Sequence, residues 1–284
     1  MPSYALISVP SSTVVWVTVG GGVLFRSTDR GETWEQRGAP PELGELPRIS
    51  FISDREGWVL TVDPAQAQCP ENLTIWRTRD GGSTYDQVRP SGLPADACGA
   101  ALTLVDAQHA FLTGGGNESE PFVYRTSDAG ATWVASAPPR AAGAPASALS
   151  PGPVRSFGSV LLLRVMDWSK SPVQQQVYRS TDGGASWAFL AAVPTASTHD
   201  PLALATATRW LLLSVPAQSS QETTDAGATW HPYPSDYQQA APIGPALYFA
   251  DADVGYATVR GTIQRTIDGG ARWSPLHTPA TCCN

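Results

Sequence analysis

The sequence predicts an all-β fold: a six-bladed β-propeller of four-stranded antiparallel blades, with a seventh blade if part of the chain lies outside the sequence given. Two observations predict it. First, one nonamer recurs six times, as RSTDRGETW (26–34), RTRDGGSTY (77–85), RTSDAGATW (125–133), RSTDGGASW (179–187), ETTDAGATW (222–230) and RTIDGGARW (265–273). The aspartates at 29, 80, 128, 182, 225 and 268 are 51, 48, 54, 43 and 43 residues apart, a period that marks a repeat architecture. Second, short apolar or aromatic runs flank each nonamer, and helical periodicity is nowhere sustained, so each copy reads as a turn between two strands.

Each letter of the nonamer suits a tight hairpin turn. The six glycines two residues after the aspartate, Gly31, Gly82, Gly130, Gly184, Gly227 and Gly270, take positive φ without a Cβ clash. The carboxylates of Asp29, Asp80, Asp128, Asp182, Asp225 and Asp268 accept bonds from turn amides, and a Ser or Thr two residues earlier adds a local hydroxyl. The closing aromatics Trp34, Tyr85, Trp133, Trp187, Trp230 and Trp273 open the next strand with a large apolar surface and are expected in the core.

Reading backwards from each nonamer gives four strands, A to D. In the second unit they fall at 48–53, 57–62, 74–78 and 84–88, in the first at 5–9, 13–19, 22–27 and 33–37, and in the last at 246–250, 255–259, 262–266 and 272–276. A second echo marks the A-to-B turn: SDREGW (53–58), DAQHAF (106–111) and DADVGY (251–256) each end in a small residue and an aromatic. Six such units indicate a propeller, a single domain over 1–284 with blades near 4–37, 48–88, 100–135, 153–192, 200–233 and 245–276. No strand is exchanged between the termini, so closure rests on packing of the first blade against the sixth.

The nonamer resembles the Asp-box, or BNR, repeat (S/T-x-D-x-G-x-T-W) found in sialidases, sortilin-type receptors and xyloglucan-cleaving hydrolases. With the D-x-x-x-G-W echo and the short blades, the chain is most similar to the photosystem II assembly factor-like propellers of bacteria, and the resemblance covers residues 4–276. It implies a chaperone-like or scaffolding role in assembling a membrane-associated complex. Three copies depart from the pattern: Tyr85 replaces Trp in the second, Glu222 replaces Arg in the fifth, and Arg272 replaces Thr in the sixth.

Composition narrows the function. The chain carries a net charge of −7, one lysine (Lys170) and thinly spread arginines, with no stripe that could neutralise a row of phosphates. Nucleic acid is excluded as a partner, and no apolar run is long enough for a membrane span. The four cysteines, Cys69, Cys98, Cys282 and Cys283, include no CxxC pair, and no histidine stands at metal-ligand spacing. Neither a metal nor any other cofactor is expected. An even count is compatible with disulfides in an oxidising compartment, the alternative being buried thiols in a reduced cytoplasmic protein. Cys69 in a B-to-C loop and Cys98 in the following D-to-A loop lie at one end of one blade and are expected to pair. The protein is expected outside the cytoplasm, with its targeting segment absent from this sequence.

The nonamers occupy one end of every sheet, and their sameness marks them as a folding device. The other end carries the long connections 63–73, 91–100, 114–121, 135–153 and 166–175, concentrated in blades two to four. Loops on a rigid scaffold tend to carry recognition, so a protein partner is expected there, with Arg48, Glu71, Glu118, Arg155, Trp168 and His199 as candidate contacts. Trp168, in the polar loop MDWSKSP, is the natural aromatic anchor.

No residue is expected to be catalytic. A sialidase would need an arginine triad, and no F/Y-R-I-P motif precedes the first Asp box; Arg48 follows it. Other glycoside hydrolases need two facing carboxylates, and the sequence pairs none of Asp63, Glu71, Glu118, Glu120, Asp167 and Asp200. His199-Asp200 has no accompanying nucleophile. A glycan-binding or glycan-hydrolysing protein is the second reading.

Overall fold

A computed structural model describes residues 5–19, 23–41, 47–62, 73–93, 101–116, 119–136, 148–194, 201–214, 220–238, 247–259 and 262–277. It holds twenty-four strands in six four-stranded sheets, each a simple meander in chain order. No α-helix occurs among the described residues. The chain is a six-bladed β-propeller.

Blade one comprises Ala5–Ser8, Val15–Val19, Val23–Ser27 and Glu35–Arg37. Blade two comprises Arg48–Phe51, Gly57–Val62, Leu73–Thr78 and Asp86–Val88. Blade three has Ala101–Leu104, Ala110–Gly116, Ser119–Thr126 and Val134–Ala135. Blade four has Leu149–Phe157, Val160–Asp167, Gln174–Ser180 and Ala188–Ala192. Blade five has Leu202–Leu204, Trp210–Leu212, Gln221–Thr223 and His231–Pro232, and blade six Leu247–Phe249, Gly255–Val259, Thr262–Thr266 and Ser274–Leu276. The outer strands start two residues later than the sequence suggested, because the residues after each turn glycine are still bonded to the turn aspartate.

The chain packs as two units. One comprises residues 1–57, 78–85 and 199–284, the other 58–77 and 86–198. Within the first, Ile7, Val15 and Val17 of blade one share a core with Val254, Tyr256, Ile263 and Leu276 of blade six. Arg265 of blade six donates to the Arg30 carbonyl (2.8 Å) and to the Glu32 carboxylate (2.7 Å) of blade one. Closure through packing of complete sheets is therefore as the sequence suggested. A second cluster joins Ala203, Leu211 and Leu213 of blade five to Phe249 and Trp273 of blade six. The other unit has its own core, in which Phe111 and Val123 of blade three meet Leu149, Val154, Leu161, Tyr178 and Trp187 of blade four.

The B strands bury the large side chains Trp16, Trp58, Phe111, Trp210 and Tyr256, each at most 2% exposed. The small residue before the aromatic has a local reason: Gly57 and Gly255 lie against the faces of Phe51 and Phe249, where a methyl group would not fit. The A-to-B turn is more regular than the sequence echo. A Ser, Thr or Asp side chain accepts backbone N–H groups two or three residues on at Ser11, Ser53, Asp106, Thr206 and Asp251. Blades one and five thus use the same turn without the aspartate that advertises it.

The loop-rich ends of blades three and four differ from expectation. Much of the predicted loop at 114–121 is strand, with Gly114 opposite Phe122 and Gly116 opposite Ser119 across a bulge. In blade four, Leu149 pairs with Asp167 and Asp167 with Gln174, so strand replaces parts of the predicted loops 135–153 and 166–175. Strands there run to seven, eight or nine residues, against three to five in blades one, five and six.

Candidate functional site: Asp boxes at one end, a raised edge at the other

The Asp box closes on itself through the same three bonds in all six copies. The Ser or Thr hydroxyl before the aspartate accepts the glycine N–H at 2.7–3.0 Å. It donates to the aspartate Oδ1 at 2.7–2.9 Å. Oδ1 also accepts the backbone N–H four residues on, at 2.8–3.0 Å. In five copies a Thr or Ser hydroxyl at that position reaches Oδ2 at 2.5–2.6 Å. Arg272 fills this place in the sixth copy and supplies only its N–H.

These bonds stabilise the ionised form. The Thr33 hydroxyl and N–H hold Asp29 down to about 2, and Thr132 and Thr229 do the same for Asp128 and Asp225. Thr84 and Ser186 lower Asp80 and Asp182 further. Each carboxylate is consumed within its own turn, the opposite of a group poised to move protons.

All six box glycines have positive φ, from 79° to 96°. At Gly130 and Gly184 packing adds a second demand: a Cβ on Gly130 would meet Trp58 of the preceding blade at 2.9 Å, and one on Gly184 would enter the Phe111 ring. Of the closing aromatics, Trp133, Trp187 and Trp273 are buried as expected. Trp34 and Trp230 are only partly covered, a correction to a uniform core role. Tyr85 uses the hydroxyl that tryptophan lacks, donating to the Gly38 carbonyl of blade one at 3.0 Å.

The arginine that opens the nonamer has a role the sequence did not disclose. Arg77 and Arg265 each donate at 2.8 Å to the carbonyl of the residue after the next blade's box aspartate, Ala129 and Arg30. Between blades one and two the work is divided, Arg26 reaching the Asp54 carbonyl (2.7 Å) and Arg37 the Gly81 carbonyl (2.6 Å). Blade five, with Glu222 in the arginine's place, keeps the staple by exchange. Arg209 pairs with Glu222 at 2.5 Å and reaches both equivalent carbonyls of blade six, Ala252 (2.6 Å) and Gly269 (2.9 Å).

At the other end of the sheets, blade four presents the exposed feature. Trp168 is 52% exposed at the tip of the hairpin joining Val160–Asp167 to Gln174–Ser180. Its base is rigid. The Trp168 N–H donates to the Ala148 carbonyl at 2.8 Å, and the neighbouring Asp167 is fully buried. One Asp167 oxygen accepts the Ser169 N–H and hydroxyl, at 3.0 and 2.5 Å, and the other accepts Gln176 Nε2 at 3.1 Å. Tyr178 donates to Gln176 Oε1 at 2.9 Å, and burial together with the Asp167 charge raises its hydroxyl pKa. Blades three and four are tied at this end by Ser150 to the Gly115 carbonyl (3.1 Å) and Thr113 to the Gly152 carbonyl (2.8 Å).

The other predicted contacts divide simply. Arg48 and Arg155 are half-buried on A strands, Arg155 lying over the Phe157 ring at 5.6 Å. Glu71, Glu118, His199, Cys69 and Cys98 lie outside the described residues, as do Cys282 and Cys283. Asp167, a candidate glycosidase carboxylate, is spent on Ser169 and Gln176. Among the described residues no three His, Cys, Asp or Glu side chains gather to hold a metal.

Fold and turn geometry together define an Asp-box repeat β-propeller. The family model of the BNR/Asp-box repeat matches residues 25–36. A xyloglucanase from Paenibacillus sp. is 26% identical over 200 residues, 68% of this chain and 16% of that protein. The chloroplastic photosystem II stability/assembly factor HCF136 of Cyanidioschyzon merolae is 38% identical over 61 residues, 21% of this chain and 14% of its own length. The chain thus spans 12–16% of the curated relatives it matches. Among solved structures, YCF48 bound to a D1 peptide superposes with a TM-score of 0.51 at 19% identity, covering 94% of each chain. The chain is a β-propeller with six turns of Asp-box geometry, similar in fold to the solved YCF48 and, over parts of its length, in sequence to HCF136 and a xyloglucanase.

Proposed function

We propose that this chain is a non-enzymatic binding or scaffolding propeller, working outside the cytoplasm, that docks a protein partner at the loop-rich end of blades three and four and assists assembly of a membrane-associated complex. The observation that carries the reading is Trp168, an indole half open to solvent on a hairpin fastened by a buried carboxylate. A large aromatic held on a rigid base loses little entropy on binding and suits an interface anchor. The similar fold of YCF48, solved with a D1 peptide, supports a peptide or protein as the class of partner.

The test is recovery of a partner from the native envelope fraction by the wild-type chain and by Trp168→Ala. Loss of an anchor of this kind costs about 2–4 kcal/mol, so the variant should release the partner while melting at the wild-type temperature. Equal recovery by both chains would remove Trp168 from the interface. The xyloglucanase relative supports the second reading, glycan binding or hydrolysis. Turnover of xyloglucan or a fluorogenic glycoside, abolished by replacing a single carboxylate, would reverse the ranking.

A further inference from the structure

The outermost strand of blade four differs from its five counterparts. Elsewhere the outer strands are two or three residues long, EQR, DQV, VA, HP and SPL, and all but the two-residue VA carry a charged residue or a proline. In blade four the strand is AFLAA, Ala188–Ala192, and the ladder continues to Val193, whose N–H donates to the Gln175 carbonyl at 2.9 Å. It contains neither charge nor proline. Ala188 and Ala192 are exposed, and Phe189 is 55% exposed, edge-on to Tyr178 at 5.7 Å.

Proteins normally blunt an outer strand by shortening it or by placing charge or proline on it, because its outward N–H and C=O groups accept another strand. Five blades follow that rule. Only a bulge at Leu190, between the Val177–Ala191 and Tyr178–Phe189 pairs, interrupts the sixth edge. Since Val193 turns its N–H inward, the alternation of an extended strand turns that of Ala192 outward.

We propose that Ala188–Val193 is a strand-addition site, where an extended segment of a partner protein pairs with the blade-four edge and sets an apolar side chain beside Phe189. The inference rests on the protein-docking reading and specifies its chemistry. Ala192 lies at the same end of the sheet as Asp167 and Trp168, since Gln176 pairs with both Ala192 and Val165. One bound segment can therefore follow the edge towards the exposed indole. A second copy of the chain fits less well. Two-fold pairing would oppose two bulges and bring together chains of net charge −7 each.

The probe is a short peptide of alternating valine and threonine flanked by lysines, compared with the same peptide N-methylated along one backbone edge. Titration calorimetry and amide hydrogen exchange give the readouts. The unmodified peptide should bind and slow exchange at Ala192. The methylated peptide should not bind, and Ala192→Pro, which removes an outward N–H without touching the inner ladder, should weaken binding roughly tenfold or more. Phe189→Lys should act likewise. Absence of binding, or equal binding of both peptides, overturns the proposal without any variant having to fold. Concentration-dependent self-association lost in Ala192→Pro would assign the edge to a second copy and overturn the occupant. Trp168→Ala separates the two readings: partner loss in Trp168→Ala with an inert edge leaves docking standing and removes strand addition.

Discussion

Gly183 and Gly184 form a natural control pair. Both have positive φ, 68° and 79°, so alanine at either incurs about 1–2 kcal/mol of left-handed strain, offset by about 0.4–1 kcal/mol from a less flexible unfolded chain. For Gly183, whose added Cβ would meet no atom within 4 Å, nothing more is lost, and Gly183→Ala should cost about 0.5–1 kcal/mol. For Gly184 the added carbon falls inside the Phe111 ring, which is 2% exposed and packs on Trp187 at 6.0 Å. The ring cannot yield without disturbing that core, so overpacking adds about 1–3 kcal/mol. Gly184→Ala should then total about 1.5–4 kcal/mol. In a chain of this size each kcal/mol moves the midpoint by about 2–4 °C. Thermal melts of the two variants should separate by several degrees, Gly184→Ala lower. Equal midpoints would refute the claim that the box glycine is there to admit the preceding blade's aromatic.

Three further outcomes are expected. Arg272→Thr should restore the hydroxyl bond that the other five boxes make to Oδ2 and stabilise the fold by about 0.5–1 kcal/mol, read as a raised urea midpoint. Arg209→Ala removes two bonds to blade-six carbonyls and strands Glu222, at a cost of about 2–3 kcal/mol. Adding Glu222→Arg, the residue of the other five copies, should recover most of that loss in a thermal melt. The lowered carboxylates set the acid limit: Asp29, Asp128 and Asp225 titrate near 2 when folded and near 3.9 when unfolded. The unfolded chain binds more protons between those values. The stabilisation is complete above about pH 4 and is lost as pH falls towards 2, which urea midpoints across that range should show, with a flatter profile in Asp225→Asn.

What was legible in the sequence was local. The box works through contacts no more than four residues apart, so its letters recur together and locate every C-to-D hairpin. The A-to-B turn was legible only where it ends in a small residue and an aromatic; Ser11 and Thr206 make the same bonds, but Val15-Trp16 and Trp210-Leu211 stand where that pair would be. The arginine staple was hidden for a different reason. Its acceptors are backbone carbonyls in the next blade, which impose no residue type, so nothing at Ala129 or Gly269 signals a partner. Glu222 stood out as a departure, but its compensation by Arg209 needs the strand register that puts the two side by side. TGGG at 113–116 reads as loop by composition, yet Thr113, Gly114 and Gly116 pair with Val123, Phe122 and Ser119, because the hairpin partner supplies the side chains that the glycines lack.

The two ends of the sheets therefore answer to different constraints. At the box end the repeat's own polar groups are engaged in holding turns and blades: hydroxyls on carboxylates, carboxylates on amides, and Arg26, Arg77 and Arg265 on carbonyls. A ligand arriving there would have to break bonds that hold neighbouring blades together, which makes that end a poor place for function to change. At the opposite end the local rules lapse. Among the described residues the strands are longest in blades three and four, Asp167 is buried beneath a hairpin that shows a tryptophan to solvent, and the outer strand of blade four keeps an open edge. The exposed indole, the exposed Phe189 ring and the open outer strand are grouped on one blade. Phe189 and Trp168 are each more than half exposed there, and neither takes part in the box bonds or the arginine staples that hold the blades.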